Sequence, residues 1–69
     1  MILLIVKRFN QRHTAWKIPP AALDGMPLPG ELGYYDTVFD HCQYKVKDVI
    51  EKDDMCIYIA NEYHEAREA

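Results

Sequence analysis

Two stretches of the chain are apolar without interruption, residues 2–6 (Ile, Leu, Leu, Ile, Val) and residues 55–60, and the segments between them alternate or recur at longer spacing. A short unbroken run of branched side chains is the pattern of a strand buried on both faces. Residues 2–6 therefore predict a central strand. Asn10, Gln11 and Arg12 interrupt the apolar content, after which residues 13–18 alternate, with Thr14, Trp16 and Ile18 on one face and His13, Ala15 and Lys17 on the other. A β-hairpin follows.

Pro19 and Pro20 end that second strand, because neither can donate to a ladder. Four prolines and three glycines fall between Pro19 and Gly33, so residues 19–33 predict a long Pro/Gly-rich loop with at most one helical turn over 20–23. Leu23, Met26, Leu28 and Leu32 lie within it. A purely solvated linker has little use for them, so the loop is expected either to lie across the core or to offer these side chains to a partner.

Residues 36–51 are read as a helix. Asp36 suits an N-cap, Phe39, Cys42, Val46 and Val49 recur at spacings of three, four and three, and Val38 and Ile50 widen the stripe. Acids near the start and lysines near the end suit the helix dipole. The competing reading is a hairpin, since Val38, Val46, Val49 and Ile50 are β-branched and Tyr44 and Val46 alternate with lysines. Residues 55–60 predict a strand that can pair beside the first, while Cys56, Ile59, Ala60 and Tyr63 also have helical spacing over 55–66. Residues 61–69, rich in Glu and Ala, predict a frayed or short helical tail. The fold class expected is thus a single α+β domain over 1–69, ordered ββαβ, with a β-hairpin followed by an αα-hairpin as the alternative.

At 69 residues the chain buries a small core, with neither a disulfide framework nor a recognisable structural metal to supplement it. Homodimerisation is expected on that ground. Residues 1–18 hold four bases and no acid (+4), whereas residues 19–69 hold eleven acids against four bases (−7). Such asymmetry marks either a basic contact patch or two parts that pack together and neutralise each other. The apolar start is too short to span a bilayer and lacks the features of a signal peptide, so a cytoplasmic location without membrane association is expected. Cys42 and Cys56 are accordingly read as free thiols.

His13, His41 and His64 with Cys42 and Cys56 are residue types that bind zinc, but His41 and Cys42 are adjacent and Cys56 and His64 are eight apart, which makes no compact ligand knuckle. Neither metal nor cofactor is expected. His41 is poorly placed to activate Cys42 from the next position of a helix, and the glycines do not have phosphate-loop spacing. Catalysis is therefore not expected, with a homodimeric small enzyme kept as a minor alternative.

Two binding readings remain. Arg8, Arg12 and Lys17 around Trp16, with Lys7 and Phe9 beside them, are the combination of cations and aromatics used on single-stranded nucleic acid. The leading expectation is a protein-binding module, a regulator or inhibitor acting on a host or partner protein. Five tyrosines and a tryptophan are many for so short a chain, and Tyr34, Tyr35, Tyr58 and Tyr63, with Met26 and Leu28 of the loop, are of the kind that anchor interfaces. Size and the lack of a catalytic motif invite comparison with accessory proteins of phages and mobile elements, which is analogy only.

Overall fold

The computed structural model describes residues 1–64. Five strands form one sheet: β1 (Ile2–Lys7), β2 (His13–Ile18), β3 (Leu32–Asp36), β4 (His41–Lys52) and β5 (Met55–Glu62), in the order β2-β1-β5-β4-β3. All neighbours are antiparallel except β1 and β5, which run parallel at the centre. The sheet curls into a half-barrel. A short 3-10 helix, Pro20–Gly25, is the longest helix among the described residues.

This corrects the expected fold class. The protein is nearly all sheet, neither ββαβ nor a β-hairpin followed by an αα-hairpin, because residues 36–51 supply the end of β3, a tight turn and all but the last residue of the twelve-residue β4. Cys42, Tyr44 and Val46 are buried at a spacing of two. The register between β4 and β5 then shifts between Val46 and Asp48, where one extra residue is accommodated. That bulge returns Val49 to the face of Val46 after three residues, so a strand pattern with one insertion imitates a helical step. Phe39, the first member of the supposed stripe, lies in the turn.

The first hairpin and the last strand stand where their patterns put them. Thr14, Trp16 and Ile18 face Val6, Leu4 and Ile2 across the β1–β2 ladder, and β5 lies beside β1. Of the expected tail, Asn61 and Glu62 belong to β5, and residues 65–69 lie outside the described residues.

The core fills the concave side. Ile2, Leu4 and Val6 of β1, Ile18 of β2, Cys42, Tyr44 and Val46 of β4, and Tyr58 and Ala60 of β5 are buried there. Met26 of the long loop packs on them, with Trp16, Tyr35, Val49 and Cys56. The loop thus crosses the core, then enters the sheet through a turn over Leu28–Glu31. Glu31 N donates to Leu28 O at 2.9 Å, Pro29 takes the second position, and Gly30 takes the third with φ of 90°, the positive angle a type II turn demands.

Curling brings the two edge strands together. Trp16 of β2 and Tyr35 of β3 stack with ring centroids 4.4 Å apart, so the open side of the half-barrel is closed by an aromatic pair rather than by a ladder.

Candidate partner-binding site

Arg8, at the end of β1, organises one end of the half-barrel. Its Nη1 and Nη2 donate to the two carboxylate oxygens of Asp40 at 2.8 and 3.3 Å, its Nε donates to Glu62 Oε1 at 3.0 Å, and Nη1 reaches Thr14 Oγ1 at 3.4 Å. The guanidinium therefore ties together β1, β2, β5 and the β3–β4 turn. Arg8 and Glu62 side chains are only 12% and 11% exposed. The bidentate pair to Asp40 is the more open of the two, with the Asp40 side chain 31% exposed, and the charge-assisted bond to Glu62 is the one shielded from water.

The hydrogen bonds to Asp40 and then Glu62 push the Arg8 pKa further up. The Arg8 guanidinium holds the Asp40 carboxyl below its usual range. Burial works against the charged form of Glu62, but the Phe9 amide, His64 and Arg8 together outweigh it, so this carboxyl also sits below the usual range. Phe9 N donates to Glu62 Oε1 at 2.9 Å, and His64 Nε2 lies 3.1 Å from Oε2.

Around this charged centre the same end of the molecule presents apolar groups to water. Phe9, next to Arg8, is 64% exposed, and Val38 and Phe39, next to Asp40, are 90% and 95% exposed. The turn that carries them is well fixed. Thr37 Oγ1 accepts from the backbone N–H of Phe39 and Asp40 at 3.2 and 3.0 Å, and Thr37 N donates to Asp40 O at 2.8 Å. His41 pairs with Asp36 just below the tip, and Tyr34 Oη is 3.5 Å from His41 Nδ1.

The residues read from sequence as partner-binding are dispersed. Met26 and Tyr34 line an open groove of about 1020 Å³ between the 3-10 helix and the β3–β4 pair. Leu28 is exposed elsewhere on the loop, Tyr35 is half-buried against Trp16, Tyr63 is half-buried at the end of β5, and Tyr58 is 5% exposed within the core. The residues read for nucleic acid are not brought together either. Arg8 is engaged by two carboxylates, Arg12 is exposed in the β1–β2 turn, and Trp16 and Lys17 point to opposite faces of β2.

Other chemistry has little to work with. His41 and Cys42 lie on opposite faces of β4, and burial pushes the Cys42 thiol up, only partly offset by Arg8. Among the described residues no group of three His, Cys, Asp or Glu side chains gathers as metal ligands, and no helix is long and apolar enough to cross a membrane.

The Val38–Phe39 tip went unread in the sequence because both residues fitted a core stripe. The available signal was Asp36-Thr37-Val38-Phe39-Asp40, a polar frame around an apolar pair, with Thr37 and the acids offering turn hydrogen bonds. No family model matches the chain, and no curated protein or solved structure matches it.

Proposed function

We propose that the protein is a protein-binding module, a regulator or inhibitor, that inserts the Val38–Phe39 tip into an apolar pocket of a partner protein. The observation that carries this reading is the exposure of those two side chains, 90% and 95%, on a turn held by the hydrogen bonds between Thr37, Phe39 and Asp40. Folding gains nothing from an apolar pair held in water. Binding gains twice, from the aromatic anchor and from a turn that loses little freedom on docking. Phe9, on the neighbouring turn, extends the same apolar end.

A protein pocket fits this tip better than a lipid surface, because Asp36, Asp40 and Glu62 flank it and the chain carries a net charge of −3, which anionic headgroups repel. The nucleic-acid alternative draws no support from a cation locked between carboxylates.

The test is capture from a lysate with the tagged chain and, in parallel, with Val38→Ser/Phe39→Ser. Both side chains are exposed, so the variant is expected to keep the native fold, which circular dichroism checks. One protein held in stoichiometric amount by the native chain and at least about 30-fold more weakly by the variant is the expected result, the scale of a binding hot spot. Equal retention by the variant overturns the assignment of the tip. Recovery of nucleic acid alone, abolished by nuclease, replaces the reading altogether.

A further inference from the structure

The convex face of the sheet carries a second feature, apart from the hairpin tip. Following the ladder registers, one row across it reads Lys17, Leu3, Ile57, Ile50 from β2 to β4, and the next reads Ala15, Ile5, Ile59, Asp48. The row beyond reads His13, Lys7, Asn61, Lys45, and on the opposite side Lys52 stands beside Met55. An aliphatic strip is thus framed by four lysines, with one acid, Asp48, on its rim. All four lysines are exposed, and among the described residues none pairs with an acid.

A sheet with one wet face ordinarily alternates apolar and polar residues. β1 and β5 do not; their sequences suit burial on both sides, and the fold buries only the concave one. Leu3, Ile5, Ile57 and Ile59 are half-buried, Ile50 is exposed, and among the described residues no element packs over them.

We infer that an acidic amphipathic helix of a partner protein covers this strip. Charge and shape select that occupant together. A second copy stacked here would set four lysines against four lysines, whereas acids flanking the apolar stripe of a helix meet them with opposite sign. Single-stranded nucleic acid stacks its bases on aromatic rings, and the strip has none. Side chains level with the sheet do not reach into a bilayer as membrane-bound apolar faces do. A helix brings its own side chains down to them, which is how sheets are ordinarily covered. The dimensions agree. Four strands at about 4.8 Å spacing make the strip about 14 Å wide, against a helix diameter of about 10–12 Å. From Lys52 to the row of Lys7 and Lys45 is about 20 Å along the strands, or about 13 helical residues. Asp53 and Asp54 in the β4–β5 turn orient that helix, favouring its positive N-terminal end beside them and its C-terminal end beside Lys7 and Lys45. The net charge of −3 opposes this only weakly, because exposed charges more than about 8 Å apart are largely screened at physiological salt.

Panning a displayed library of random peptides of about 16 residues, enough for the span, against the full chain tests this. The selected peptides are expected to carry apolar residues at spacings of three and four with Asp or Glu on both flanks. Fluorescence anisotropy of the most enriched peptide should then show binding weakened about five-fold by Lys17→Glu or Lys45→Glu and about 25-fold by the two together, the scale of exposed ion pairs reversed. Both positions are exposed, so the variants are expected to keep the fold, which circular dichroism checks. Selection of no acidic amphipathic family, or of one whose binding ignores both lysine reversals, overturns the inference. Sedimentation of the native chain with vesicles of phosphatidylcholine and phosphatidylglycerol, lost in the double lysine variant, assigns the strip to a membrane and overturns it equally. None of these outcomes bears on the Val38–Phe39 tip.

Discussion

Gly33 shows how closely one residue can be specified by its cross-strand neighbour. It stands directly opposite Tyr44 in the β3–β4 ladder, and a Cβ built there would lie 2.5 Å from Tyr44 Cζ. The ring of Tyr44 covers the bare backbone, burying the phenol and protecting a strand glycine at once. Burial also pushes the Tyr44 pKa up. Since that ring is part of the packed core, it cannot swing aside without opening a void. Gly33→Ala is therefore expected to cost about 1–3 kcal/mol, the usual penalty of overpacking, read as a lower urea midpoint with an unchanged slope. The other two glycines have open space around them, and Gly25→Ala should be nearly silent in the same measurement.

At the scale of elements, the Arg8 cluster does what a longer ladder does elsewhere, joining the β1–β2 hairpin, the β3–β4 turn and β5 at one end. Its pH dependence follows from the direction of the shifts. Asp40 and Glu62 are held below their ordinary values of 3.8 and 4.5, so each binds its proton more readily in the unfolded chain. The stability they add is complete above those ordinary values and is lost as pH falls through the lower values of the folded state. Thermal melts between pH 7 and pH 2 should show a steep drop in that acid window. Arg8→Ala should flatten the drop and lower stability at pH 7 by about 1–3 kcal/mol, since Glu62 would keep its burial without its cation.

The same elements explain what could be read beforehand. β1 and β5 were legible from their unbroken apolar runs and β2 from its alternation, and the face assigned to Thr14, Trp16 and Ile18 is the one they occupy. β4 was not, because a two-residue period broken by one bulged position mimics a helix over a short window, and β3 was divided between the expected loop and the start of that helix. Arg8 illustrates a different limit. Its charge was legible, but its two acids lie 32 and 54 positions away, and nothing local distinguishes a cation awaiting a phosphate from one awaiting a distant carboxylate. The tip was hidden by the same mistaken helix, which placed Phe39 inside.

Three of the four ladders join strands that follow one another in the chain, and the fourth, β1 against β5, joins its two ends at the centre of the sheet. β1 and β5 form the centre of the sheet, with Leu4 beside Tyr58 and Val6 beside Ala60, and the hairpin β2 and the pair β3–β4 are added outside them. The hairpins can pair locally, but the parallel central pair that joins them closes almost the entire chain and forms only once that long loop is closed. Refolding from urea, followed by Trp16 fluorescence, is expected to be a single phase in the millisecond-to-second range, slower than a helical protein of this size. For synthesis the consequence is sharper. While β5 is still inside the ribosomal tunnel, β1 has lost half of its hydrogen-bonding partners and the core has no Tyr58 or Ala60. A chain that ends before β5 is therefore expected to lack a stable fold, seen as the loss of a cooperative thermal transition when residues from Met55 onward are removed.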